Sequence, residues 1–176
     1  SIDHSTVNRW VIKYSPQLED AFHRRKRPVG RSWRMDETYI KIKGEWRYLY
    51  RAVDKQGQTI DFLLTEHRDQ EAALRFLKKA IRRHGVPEKI TIKRYNEAHG
   101  TAIEIRQIKS LNNMVEQDHR AIKRVTRPML GFKSFAAAHD TLVGIELMHM
   151  LKKRQLVVAE RDKGLTAAEP FFSLAA

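Results

Sequence analysis

Two periods of hydrophobic residues alternate along the chain, and each predicts a kind of element. Val7, Trp10, Val11 and Tyr14 recur at i, i+3, i+4 and i+7, which predicts a short helix over 3–14, with Asp3 or Ser5 able to cap its start. From Trp33 the pattern becomes extended. Met35, Thr38, Tyr39, Ile40 and Ile42 lead to the turn Lys43-Gly44-Glu45; Trp46, Tyr48, Leu49, Tyr50, Ala52 and Val53 lead to Asp54-Lys55-Gln56-Gly57; a third run spans Thr59 to Leu64. This predicts a three-strand antiparallel meander. Ala72, Ala73, Phe76, Leu77, Ala80 and Ile81 then take helical spacing between Asp69 and His84, closed by Gly85 and Pro87. Short strands follow at Lys89–Ile92 and Glu104–Ile108, and helices at Leu111–Thr126 and Phe135–Arg154, with Pro128 and Gly131 between them. A meander followed by helix-linked strands predicts an α/β fold, a mixed sheet with helices on both faces.

Composition narrows the function. Lys and Arg number 34 against 21 Asp and Glu, a net charge of +13 over 176 residues, which points to a polyanionic partner, nucleic acid ahead of an anionic membrane. The absence of cysteine removes disulfides, thiol nucleophiles and thiolate zinc sites. No apolar run approaches the roughly 20 residues that span a bilayer, and no signal-peptide pattern opens the chain, so a cytoplasmic, nucleoid-associated protein is expected. Thr6, Asn8, Arg9 and Lys13 on the first helix suit phosphates and base edges. That helix can be at most the recognition half of a helix-turn-helix. The basic run His23-Arg24-Arg25-Lys26-Arg27, closed by Pro28 and Gly30, reads as a linker along a phosphate backbone. The tail after Leu156 mixes Val157, Val158, Phe171 and Phe172 with charged residues and either docks or frays.

Two longer blocks carry a resemblance. Trp33-Arg34-Met35-Asp36-Glu37-Thr38-Tyr39-Ile40, continuing through Lys43-Gly44-Glu45-Trp46-Arg47-Tyr48-Leu49-Tyr50-Arg51-Ala52-Val53-Asp54, resembles the first catalytic block of D-D-E transposases of insertion-sequence family six. Leu111-Asn112-Asn113-Met114-Val115-Glu116-Gln117-Asp118-His119-Arg120-Ala121-Ile122-Lys123-Arg124 resembles the block with the last acid, and 127–135 and 144–150 resemble the helical segments beyond. The resemblance implies a core similar to ribonuclease H at 32–155, preceded by a helix-turn-helix remnant at 1–22 and a basic linker at 23–31, and followed by a tail at 156–176. It implies Mg²⁺-dependent strand cleavage and transfer on double-stranded DNA, terminal repeats and target alike, by a homodimer or larger oligomer. Mn²⁺ would be a substitute ion.

By the same resemblance Asp36 is the first acid and Glu116 the last, both metal ligands. Three carboxylates hold two hard cations about 4 Å apart, one activating the nucleophile and one stabilising the leaving oxygen. Glu37 is expected on the opposite face of the sheet. Asn112, Glu116, His119, Arg120 and Lys123 fall at i, i+4, i+7, i+8 and i+11, one polar face read as a DNA contact with Arg124 beside it. On spacing alone, a Glu116–Arg120 surface pair competes with that reading. The middle acid is missing. An Asp is expected after Thr91-Ile92, yet Lys93-Arg94-Tyr95 stand there, and 23 positions, 93 to 115, separate Ile92 from Glu116, fewer than the family places there. An internal deletion is the simplest account. Lysine cannot ligate Mg²⁺ and repels it, and Asn96, Glu97 and His99 are the candidate substitutes. The expectation is a transposase core with impaired catalysis, and the alternative is a non-catalytic DNA-binding relic that inhibits a full-length transposase.

Overall fold

The computed structural model describes residues 3–92, 104–106, 113–157, 166 and 168–175. They form two compact units, residues 28–131 and residues 1–27 with 132–176.

The first unit is a five-stranded sheet. Strands β1 (Ser32–Ile42), β2 (Glu45–Asp54) and β3 (Thr59–Thr65) make the expected meander, and α2 (Gln70–His84) leads to β4 (Lys89–Ile92) and β5 (Glu104–Arg106). The order is β3-β2-β1-β4-β5. The β1–β2 and β2–β3 pairs are antiparallel, and the β1–β4 and β4–β5 pairs parallel. Helix α3 (Asn113–Thr126) closes the unit with a 3₁₀ turn at Arg127–Met129. Observed ends extend beyond the apolar runs, because Ser32 and Glu45 carry ladder bonds without an apolar side chain. Asp54 fixes the β2–β3 turn: its Oδ1 accepts from the Gln56 and Gln58 amides at 2.9 Å, and its Oδ2 from the Gly30 amide at 2.8 Å.

Strand alternation divides the chemistry of the two faces. Trp33, Met35, Tyr50, Ala52 and Ile60 pack with Ala72, Phe76 and Ala80 of α2, an apolar seam that contributes about 1.5–3 kcal/mol for each large side chain buried. The Asp69 side chain caps α2 by accepting from the Ala72 amide at 2.7 Å. At the sheet's outer strand, the buried Asp61 carboxylate receives Lys79 Nζ at 2.8 Å and Arg83 Nη1 at 3.4 Å, both from α2. Burial alone would raise this carboxyl; the two cations outweigh it and hold the group below its ordinary value of 3.8.

The second unit is helical, and it corrects the reading of the N-terminus. Helix α1 runs from His4 to Arg25 as one element through Pro16, so His23–Arg25, expected in a linker, are its last turn. Asp3, not Ser5, takes the N-cap position. Val7, Trp10 and Tyr14 are exposed, and the buried stripe is Ser15, Glu19 and Phe22, rotated by roughly 90° about the helix axis from the face that the apolar spacing indicated. The partner is α4 (Phe135–Lys152). A Cβ on Gly144 would come within 2.6 Å of Ser15 Oγ, so the glycine permits that close approach. The tail docks in part: α5 (Ala168–Ala175) places Leu174 against Phe22, Leu147, Met150 and Leu151. Met150 is core, as an apolar helix suggests, whereas Met148 is exposed.

The Asp61 cluster makes stability depend on acid in a defined direction. A depressed folded value means that its contribution is complete above the ordinary value of 3.8 and is lost as pH falls through the lower folded one. Asp61→Asn is expected to cost about 2 kcal/mol near neutrality. Urea melts as a function of pH check it: the difference from the parent should hold between neutral pH and about 5 and shrink below about 4.

Candidate active site

Asp36 lies mid-strand on β1 and is 4% exposed. Met35 points into the α2 seam, so Asp36 points to the opposite face, against which α3 packs. Glu37 returns to the α2 side, as alternation requires, and pairs there with Arg68. Asp36 stands opposite Arg51 of β2 in the antiparallel register. Arg51 is fully buried, and its Nη2 donates to Asp118 Oδ2 of α3 at 2.7 Å. The Thr59 hydroxyl of β3 lies 3.5 Å from the same oxygen. One arginine therefore joins the strand beside Asp36 to the helix that carries Glu116.

That bond sets the rotation of α3. Val115, His119 and Ile122 are buried and form its inward face. Glu116, Arg120 and Lys123 lie about 100° round from Val115 on one flank, and Asp118 on the other. Glu116, Arg120 and Lys123 thus share a flank as expected, and Arg124 is exposed beside them. His119 departs from that set. It is 5% exposed, because its spacing from Val115 and Ile122 also fits the apolar stripe, and packing claims it. Asn112 lies outside the described residues. Thr6, Asn8, Arg9 and Lys13 sit on α1 with Asn8, Arg9 and Lys13 exposed, and Arg9 Nη2 donates to Thr6 Oγ1 at 3.1 Å.

The parallel register of β1 and β4 ends with Met35 opposite Ile92, one residue before Asp36 on the one strand and before Lys93 in the sequence. Lys93 and the possible substitutes Asn96, Glu97 and His99 lie outside the described residues. Among the described residues no group of three or more His, Asp or Glu is placed to hold a metal ion. Among the described residues Asp36 and Glu116, with the buried Arg51 in register with the first, do not by themselves make up the three-carboxylate set that holds two divalent ions.

A DDE domain of the IS240 transposase type matches residues 30–155, most of the chain. The chain belongs to the DDE transposases of insertion-sequence family six. Among its relatives, the transposase for insertion sequence-like element IS431mec of Staphylococcus aureus is 39% identical over 169 residues, covering 88% of this chain and 72% of the relative. The transposase of IS257 in transposon Tn4003, also from S. aureus, matches to the same extent. In three dimensions the chain is similar to the catalytic core domain of HTLV-2 integrase, solved with magnesium in a trimeric form, at a TM-score of 0.54 and 16% identity over 82% of this chain and 98% of that one. It is also similar to a chain of the simian T-cell lymphotropic virus intasome with PP2A regulatory subunit B56 gamma, at 0.53 and 17%, over 77% of this chain and 53% of that one. These likenesses give the transposase an RNase H-like core. Among the described residues no helix is long and apolar enough to cross a membrane.

Sequence reading missed Arg51 and Asp118. The available signal was an arginine within the otherwise apolar alternation of Tyr48 to Val53. Asp118→Ala is expected to cost about 3–5 kcal/mol by taking a carboxylate from a buried guanidinium, and Arg51→Met with Asp118→Leu to recover much of it. A double-mutant cycle in urea measures the coupling.

Proposed function

We propose that this chain is a transposase core that binds duplex DNA but does not cleave it. The carrying observation is the acid complement: Asp36 and Glu116 are retained on the α3 side of the sheet, while a lysine follows β4 where the middle acid belongs. A site with two carboxylates and added positive charge disfavours the paired divalent ions that strand cleavage in the intact family uses. Binding makes different demands. A net charge of +13, the Arg120, Lys123 and Arg124 side of α3, and Thr6, Asn8, Arg9 and Lys13 on α1 offer phosphate contacts that need no metal. Element-end DNA is the proposed ligand and a dimer or larger assembly the proposed form. A second reading, a relic that occupies element ends and poisons a full-length transposase, draws on the same retained sheet and missing acid.

The deciding experiment incubates labelled duplex with the protein in Mg²⁺ and in Mn²⁺, beside Asp36→Asn and Glu116→Gln. Retarded DNA without metal-dependent cleavage is expected; cleavage that both substitutions abolish would overturn the proposal. Affinity should fall steeply with salt, and Lys123→Ala and Arg124→Ala should each lower the slope of log K against log salt by about 1. If the chain poisons transposition, adding it to an active relative's strand-transfer reaction will inhibit in proportion to its occupancy of the ends.

A further inference from the structure

Leu130 is 90% exposed. It also takes a left-handed backbone, φ 56° and ψ 14°, which favours glycine or asparagine over a branched side chain. A leucine side chain that gains no burial on a left-handed backbone adds nothing to the fold beyond what glycine or asparagine would, and such outliers concentrate at functional contacts. The surrounding turn is nonetheless held in place. The Leu130 amide donates to the Arg127 carbonyl at 3.2 Å, and the next residue, Gly131 at φ 106°, lies so close to β1 that a Cβ there would sit 3.1 Å from the Lys41 carbonyl oxygen. Pro128 and Met129, also exposed, complete an apolar tip on a fixed base.

Cations lead to this tip. Arg120, Lys123, Arg124 and Arg127 stand at i, i+3, i+4 and i+7, running on from the flank of α3 that carries Glu116. From Glu116 to Arg127 the helix rises about 16 Å at 1.5 Å per residue, the length of roughly five nucleotides at 3.4 Å each. An apolar tip with Pro, Met and Leu at the end of a basic track matches the chemistry of side chains that wedge between base steps and unstack them. A protein partner would also accept the apolar tip, but the basic approach favours DNA.

We propose that Pro128-Met129-Leu130 is a wedge that unstacks duplex DNA roughly five nucleotides from the Glu116 end of the α3 track. The inference rests on the DNA-binding reading above and deepens it. The wedge meets the duplex where Arg124 and Arg127 hold the flanking phosphates, and pyrimidine–purine steps open there most readily.

The test uses the full chain and a duplex rich in TA steps with 2-aminopurine at one of them, following affinity by anisotropy and unstacking by 2-aminopurine fluorescence. The wild type should bind and raise the fluorescence. Leu130→Asn should keep affinity within about threefold, abolish the rise, and melt at the same or a higher temperature, since asparagine accepts the left-handed backbone. Arg127→Ala should weaken binding and leave the residual complex unstacked. Binding by the wild type without a fluorescence rise, or a rise that survives Leu130→Asn, overturns the wedge and leaves DNA binding intact. No binding at all overturns both. A sedimentation change in Leu130→Asn, with unstacking retained, would assign the tip to a second copy and overturn the wedge.

Discussion

A guanidinium buried at the middle of a sheet has to find a carboxylate, and the architecture of the sheet face beneath α3 follows from that requirement. Arg51 has no access to water, so an unpaired charge there would cost several kcal/mol. Asp118 supplies the partner from α3 at 2.7 Å. A helix pinned at one side chain and packed along Val115 and Ile122 has one rotation left to it. Glu116 is carried on a flank of that helix and inherits its position from the pair. On β2 the same arginine sits opposite Asp36, so one ion pair relates the two retained acids to a common frame.

The two faces of the sheet divide the work. The α2 face is an apolar seam with the buried charge of Asp61 at the outer strand, where Lys79 and Arg83 reach it. The α3 face concentrates polar groups: Asp36, Arg51, Thr38 and Thr59 are all buried there or at its rim. A face of this kind is a poor source of stability and a good platform for chemistry, since fixed charges in a low-dielectric setting act strongly on whatever approaches. Loss of one acid from such a platform leaves the sheet standing and alters what it can hold. Phosphate contacts by cations on helix flanks are physically separable from metal-dependent cleavage, which needs carboxylates brought together from different elements. Losing the second therefore does not entail losing the first.

The helical unit stands on a different principle. Helix α1 is basic, and most of its apolar side chains near the N-terminus face outward; its contact with α4 depends on small residues, Ser15 against Gly144, as much as on Phe22. Close helix approach through small residues tolerates the polar Glu19 beside it. Helix α5 completes the cluster with Leu174, which turns part of the tail into structure.

Periodicity in the sequence determined nearly every element: three β-prone runs with glycine turns, the Asp69-capped helix, the short strand Lys89–Ile92 and two later helices all reappear, because pattern and local propensity agree there. The sequence likewise carries Asp36 and Glu116 in long specific blocks and places Lys93, not an acid, directly after Ile92. What it left undecided are questions of rotation and partnership. His119 fits a polar stripe and an apolar stripe equally by spacing, and only packing of α3 on the sheet turned it inward. Val7, Trp10 and Tyr14 read as a buried face, yet α4 covers the adjacent stripe, because where a helix is covered depends on a partner more than a hundred residues away in sequence. Arg51 and Asp118, 67 positions apart, become a pair only when the sheet brings them together, and the exposure and left-handed backbone of Leu130 arise from the anchoring of its turn against β1. Local pattern specifies elements; the choice of which face each element buries is made by long-range contacts that no local pattern contains.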